Sequence, residues 1–384
     1  MVNIINNVAV AECHSYEAEE CGDALKDALD SIGGLNWVKP GMKIGIKLNL
    51  CAAKAPESAA VTHPMLAREL TKLLKERGAE VVLGDSPGGP FVTQYITKLY
   101  KATGMTMCSE VGGILNTNLS TTEAVFPQGV SIRKFAYCAW LTECDAIINF
   151  CKLKSHGLMG ITAAVKNLYG VIPGTYKSEY HFIHTDPMDF ADMLVDLNEY
   201  VKPELCICDA VDIMEGNGPT QGTARHLGLI MASKNPYNID RIGAYLLGVR
   251  EKEIPFLMAA IRRNLLSEEP SFEHTEFLEQ YRISDFERSG ATASWFIRTP
   301  KDRGIKKYAK EILYVCMRSK PVCDGQCSGC GHCAKSCPAG AITISNGKAH
   351  IDRHKCVRCF CCQEFCPFGA MKVRRSLVAR ILGK

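Results

Sequence analysis

CSGCGHCAKSCP at residues 327–338 returns as CVRCFCCQEFCP at residues 356–367. Each copy reads C-x2-C-x2-C-x3-C-P. Every cysteine recurs 29 residues later: Cys327 as Cys356, Cys330 as Cys359, Cys333 as Cys362 and Cys337 as Cys366. The match runs on, with Pro338-Ala-Gly-Ala-Ile against Pro367-Phe-Gly-Ala-Met. Around this repeat the chain changes character. Eleven of the 20 cysteines lie within the last 69 of 384 residues, from Cys316 onward. Residues 316–384 hold 12 Lys/Arg against 3 Asp/Glu, whereas residues 1–315 hold 33 against 38. Two composition shifts at one point predict a domain boundary near 315/316. Turn-prone segments flank it, Arg298–Gly304 before and Lys320-Pro321 after.

The repeated spacing is that of iron–sulfur ligation in bacterial two-cluster ferredoxins. Three thiolates two residues apart wrap three corners of one cubane through a tight loop. The fourth cysteine, held by a following proline, points away and ligates the other cluster. The reading therefore assigns Cys327, Cys330, Cys333 and Cys366 to one [4Fe–4S] cluster, and Cys356, Cys359, Cys362 and Cys337 to a second. A zinc site pairs two CxxC units and needs no third cysteine with Cys-Pro, twice over. Cys361 interrupts the second copy, but the repeat sets His332 opposite it, so it reads as a non-ligand. Cys323 reads as a structural thiol, and Cys316 has no assigned role. Arg353, Lys355 and Arg358 are candidates for favouring the reduced, more negative clusters. Residues 373–382 read as a short amphipathic helix suited to docking on the acidic body, the plainest choice, on a partner or on a membrane surface.

The rest of the composition bounds the class. At 47% hydrophobic and 22% charged, the chain has ample material for a core. No apolar run reaches the roughly 18–20 residues of a membrane-spanning helix. MVNIINNVAVAE has no basic n-region, so no secretory signal is expected. A net charge of +4 is too small to imply a nucleic-acid partner. So many thiols imply a reducing cytoplasm, and the clusters an anaerobic or oxygen-protected setting.

The body alternates short apolar strands with helices. Strands are expected at 44–50, 80–85, 145–150, 205–210 and 227–232. Helices are expected from Pro64, with Thr62 as N-cap, and near 91–100 and 238–247. Residues 251–315 read as a mainly helical extension. The fold class is thus α/β. A layered, largely parallel sheet domain (1–315) precedes a small α+β ferredoxin-like two-cluster domain (316–384).

Such sheets bind ligands beyond the carboxyl ends of their strands. Polar residues cluster there: Lys47 and Asn49, then Asp85-Ser86-Pro87-Gly88-Gly89, then Lys152 to His156, then Asp209 and Glu215. IKLNL (46–50), VTHP (61–64), GDSPGG (84–89), KLKSHGLMGITAAVKNLYGVIPG (152–174) and DAVDIMEGNGP (209–219) resemble the DUF362 family, in the form carrying a C-terminal ferredoxin module. With the tail, the resemblance covers nearly the whole chain. It implies an α/β domain plus iron–sulfur clusters and supplies no substrate. A fainter similarity, around Lys166, Pro173 and Gly174, is to the lactate racemase family.

Residues 152–184 form the densest polar constellation, with Lys152, Lys154, His156, Lys166, Lys177, His181 and His184. Lysines in a Gly-rich loop suit a small anionic substrate, carboxylate or phosphate. His156 suits proton donation. Lys154, His156, Lys166 and Asp85 are the candidate catalytic residues. For Asp85 the plainer reading is an Asx turn. Asp209 and Glu215 suit either a bound cation or turn capping. No P-loop, H-E-x-x-H or G-x-S-x-G occurs, and Gly84 to Gly89 makes no dinucleotide fingerprint. A flavin held without a short motif stays open. Three functions are compatible. One is electron transfer with a redox partner protein. The second is a ferredoxin-domain reductase acting on an anion near 152–184. The third is a non-catalytic redox sensor or cluster-stapled binding module.

Overall fold

A computed structural model of the chain describes residues 2–269, 276–289 and 304–376. The body strands are β1 (Val2–Ile5), β2 (Val8–Glu12), β3 (Lys43–Lys47), β4 (Glu80–Gly84), β5 (Ile114–Leu115), β6 (Thr121–Val125), β7 (Lys134–Cys138), β8 (Ala146–His156), β9 (Gly160–Thr162), β10 (Leu205–Glu215) and β11 (Thr223–Ser233). Nine of them form one sheet, in the order β1-β2-β11-β10-β8-β3-β4-β5 with β9 on β8. The centre, from β10 through β8, β3 and β4 to β5, is parallel. β1, β2 and β11 add an antiparallel wing, while β6 and β7 pair apart.

Helices cover both faces, which is why the central strands are apolar on both sides. On one face Ile148 and Phe150 pack with Leu25 and Leu29 of the helix Ala18–Asp30 and Leu66 and Leu70 of the helix Pro64–Glu76. On the other, Cys151 and Leu153 pack with Phe190 and Leu194 of the helix Pro187–Val201 and Ile239 and Ile242 of the helix Pro236–Leu246. Each such side chain stabilises the fold by about 1.5–3 kcal/mol.

Several sequence expectations shift. β3 stops at Lys47 because side chains take over its ladder. Asn49 N–H donates to Thr62 Oγ1 at 3.0 Å and Leu50 N–H to Asp85 Oδ2 at 2.6 Å. Thr62 is thereby committed to the strand end, and its hydroxyl donates to Phe150 O at 2.9 Å. His63, not Thr62, caps the following helix, its Nδ1 accepting from Met65 N–H. β8 and β10 run to 11 residues each, past the expected ends at 150 and 210. These extensions carry Lys152, Lys154 and His156, all still buried, to the carboxyl edge of the sheet.

The tail strands are β12 (Lys320–Cys323), β13 (Ile342–Ser345), β14 (Lys348–Ile351) and β15 (Met371–Arg374), paired β12 with β15 and β13 with β14. The expected boundary at 315/316 falls inside the helix Ile305–Met317. Composition marked the onset of the cysteines, not the end of an element. Val373 and Arg374 belong to β15 and not to a helix, and the expected helix beyond 376 lies outside the described residues.

Candidate functional site

A cleft of about 620 Å³, mouth included, opens at the carboxyl ends of β3, β4 and β8. Asp85, Lys154, His156 and Lys166 all line it, and so do Lys177 and His181. Alternation places Lys152, Lys154 and His156 on one face of β8. Lys166 and Lys177 arrive on the short helices Ala164–Asn167 and Tyr176–Ile183.

The lysines here, buried except for the half-buried Lys166, divide into two groups. Lys47 Nζ lies 2.7 Å from Asp85 Oδ1, and Lys152 Nζ 2.8 Å from Asp209 Oδ2. Asp209 also accepts from the Tyr16 hydroxyl at 3.1 Å and from His63 N–H at 2.9 Å. Its carboxylate is thereby engaged in the fold. Glu215 is engaged likewise, 3.3 Å from Arg225. Asp85 accepts from Leu50 N–H and, at 2.7 Å, from Ser86 N–H in its Asx turn. It therefore lines the cleft with a saturated carboxylate, holding Lys47 and two loops in place.

Lys154, Lys166 and Lys177 have no carboxylate within ion-pair distance among the described residues. Lys154 Nζ donates to Asn49 Oδ1 at 2.7 Å and Ala60 O at 2.8 Å. Lys166 Nζ sits 5.1 Å over the Tyr169 ring, with burial lowering its pKa and Glu364 opposing the shift. Lys177 Nζ donates to Ser86 Oγ at 2.9 Å, and burial pulls its pKa down to about 7.

The two histidines are neutral at physiological pH. Burial, assisted by Lys166, lowers His156 to about 4, and burial takes His181 to about 3. His156 Nδ1 accepts the N–H groups of Leu158 and Met159 at 3.1 and 3.3 Å. Its proton therefore sits on Nε2, which points into the cleft. His181 stacks on Phe190 at 4.4 Å, and its Nδ1 has no hydrogen-bond partner among the described residues. His184, by contrast, pairs with Asp189 at 2.8 Å and is not part of the lining.

In the tail, the cysteines lining one cavity are Cys327, Cys330, Cys333 and Cys366, and those lining another are Cys337, Cys356, Cys359 and Cys362 together with Cys361, the residue that interrupts the second copy. Each thus combines three cysteines of one copy with the fourth of the other. The repeat extends to the backbone. Gly329 and Gly331 have φ of +66° and +79°, and their counterparts Arg358 and Phe360 have +62° and +63°. This left-handed backbone aims N–H groups at sulfur: Gly329 N–H donates to Cys327 and Arg358 N–H to Cys356. The donor set and turned backbone fit a cubane in each cavity. Cys361 is buried with its thiol against Cys359, Cys323 lies beside Cys327, and Cys316 is exposed.

The tail closes the cleft. Glu364 and Phe365 form part of its wall. Thr220 Oγ1 donates to Glu364 O at 3.0 Å and Gln363 Nε2 to Asn217 O at 3.1 Å. The Phe365 ring occupies the space a Cβ would need at residue 88, so any side chain there must displace the ring. Glu364 Oε1 lies 3.2 Å from His156 Nε2. Burial alone would raise the Glu364 carboxyl, but His156, Lys166 and His181 pull it down to about 2. In the cysteine motif, Gln363-Glu364-Phe365 are the three unassigned residues between Cys362 and Cys366. The available signal was their departure from Ala334-Lys335-Ser336 in the first copy.

This architecture, an α/β body closed by a dicluster tail, defines an iron–sulfur protein of electron-transfer type. A 4Fe-4S dicluster domain matches residues 326–370. The family model described as a domain of unknown function (DUF362) matches residues 44–245, more than half of the chain, and the chain belongs to that family. A thylakoid-associated protein of Synechocystis sp. is 29% identical over 269 residues, covering 68% of this chain and 81% of its own length. One component of an ion-translocating oxidoreductase complex of Methanosarcina acetivorans is 50% identical over 40 residues, covering 10% of this chain and only 15% of that component. The lactate racemase apoprotein from Thermoanaerobacterium thermosaccharolyticum aligns with a TM-score of 0.39 at 12% identity, covering 60% of this chain and 55% of its own. No helix among the described residues is long and apolar enough to cross a membrane.

Proposed function

We propose that the tail exchanges single electrons with a redox partner protein and relays them to a small anionic substrate in the body cleft, in a reducing cytoplasm. Cys327, Cys330, Cys333 and Cys366 would hold one [4Fe–4S] cluster, and Cys356, Cys359, Cys362 and Cys337 the other. Bound clusters of this type supply one-electron oxidation and reduction at potentials set by hydrogen bonds to sulfur and by solvent exposure. One observation carries the reading. Glu364 and Phe365 stand between Cys362 of one cavity and Cys366 of the other, and both line the cleft. By chain length alone, the Glu364 Cα is at most about 7.6 Å from the Cα of either cysteine.

The body's own residues supply binding and orientation. Lys154, Lys166 and Lys177 attract an anion into a site where unpaired buried charge is costly. His156 presents Nε2–H as a donor. Tyr169 and Phe365 exclude water, which strengthens each of these interactions. Asp85 acts as a positioning residue through Lys47.

The test is anaerobic purification, iron and sulfide analysis, and EPR after dithionite reduction. The expected result is about eight irons per chain with coupled S = 1/2 signals. About one zinc, or no EPR signal, would overturn the reading. Small anionic metabolites are then screened for turnover by the reduced protein.

A further inference from the structure

The cleft already contains one carboxylate, supplied by the tail. Glu364 Oε1 lies 3.2 Å from His156 Nε2, and the side chain is only 14% exposed. Lys166 and His181 complete its electrostatic surroundings. The backbone of Glu364 is held separately, by Thr220 on its carbonyl and by the Gln363–Asn217 bond beside it. The side chain can therefore leave without the tail undocking. His156 Nε2, though 3.2 Å from Glu364, makes no well-aligned hydrogen bond among the described residues, and His181, 4% exposed and lining the same cleft, likewise has an Nδ1 without a partner there. This is a buried polar atom left for a group the chain itself does not supply.

Charge balance says what such a group is. Lys154, Lys166 and Lys177 leave the cleft able to take an anion, but at His156 Nε2 an incoming anion meets Glu364 Oε1 3.2 Å away, and two like charges cannot share that one donor. Exchange of one carboxylate for another leaves the charge of the cleft unchanged. Resting on the anion-cleft reading above, we propose that the cleft is a carboxylate site whose resting occupant is Glu364. A substrate monocarboxylate binds by taking its place at His156 Nε2, with Lys166, which no carboxylate pairs among the described residues, as its counter-ion and His181 Nδ1 free for the ligand's other polar group. Glu364 is then a tethered competitor, and the tail that would deliver electrons also sets how readily the substrate enters.

Equilibrium dialysis of the cluster-loaded full chain with radiolabelled acetate, and separately with inorganic phosphate, tests this. Glu364→Gln removes the competing charge and should bind acetate at least tenfold more tightly than the unaltered protein. Glu364→Asp, which keeps the charge on a shorter arm, should fall between. The gain should persist at high ionic strength, where a long-range charge effect is screened. Cluster absorption and thermal midpoint confirm folding, and if Glu364→Gln does not fold, Glu364→Asp carries the comparison. Acetate binding by the unaltered protein that is equal or weaker in the variants would overturn the inference and leave the anion cleft standing. A gain for phosphate but not acetate would overturn the carboxylate assignment. No binding of either anion by any form would overturn both the inference and the anion cleft.

Discussion

Lys152 and Lys154 stand two residues apart on one face of β8, each about 1% exposed, yet they belong to different regions of the molecule. Lys152 lies in the deeper region, where each buried ammonium meets a carboxylate: Lys152 with Asp209 and Lys47 with Asp85. Lys154 opens the second region, the cleft, where amide, carbonyl and hydroxyl oxygens and aromatic faces receive Lys154, Lys166 and Lys177. Lys154 and Lys177 are buried like Lys47 and Lys152, Lys166 is half-buried, and compensation follows the divide rather than burial. Charge neutralised within the body serves the fold. Charge left without a carboxylate of the body can serve an anion.

Four measurements would break or sharpen this contrast. The largest effect is expected at the deep pair. Asp209→Asn leaves Lys152 buried without its counter-ion and should lower stability by about 3–5 kcal/mol in urea unfolding. A loss below about 1 kcal/mol would erase the distinction between the regions. Next, Lys154→Met strands Asn49 Oδ1 and leaves Ala60 O with only the Cys51 thiol, and should cost about 1–3 kcal/mol, while weakening anion binding. Lys166→Met removes a charge no body carboxylate balances, so stability should hold within about 1 kcal/mol or rise, while acetate binding falls at least tenfold. The smallest effect is one of pH. Lys177 is charged below about pH 7 and neutral above it, so anion affinity should fall severalfold between pH 6 and pH 8 in dialysis. His156 and His181, at about 4 and 3, stay neutral throughout that window. A flat profile would remove Lys177 from the binding group.

Within the tail, the two copies of the cysteine motif show a related asymmetry. Cys330 is exposed, whereas its counterpart Cys359 is partly covered and precedes the buried Phe360 and Cys361. The second copy carries the residues that meet the body, and its Gln363-Glu364-Phe365 segment differs from the first accordingly. Local backbone geometry is shared between the copies, and their environments are not.

Much was legible in one dimension. Cysteine spacing is a local property, because loop geometry and ligand reach are set within a dozen residues. The strands announced themselves through apolar runs, and Lys154, His156, Lys166 and Asp85 follow strand ends or Gly-rich turns that an α/β sheet directs to one edge. Their shared cleft follows from that topology. Which lysines would be neutralised was not legible, since Lys152 and Lys154 look alike until β10 brings Asp209 alongside one of them. Nor was the role of Glu364, separated by about 200 residues from His156 and Lys166. Sequence by itself determined the class of the fold and the cysteine spacing by which the tail matches a 4Fe-4S dicluster domain, because these rest on local periodicity and spacing. Only the tertiary structure decided which charges are compensated and which carboxylate enters the cleft, because burial and pairing are set by contacts between distant segments.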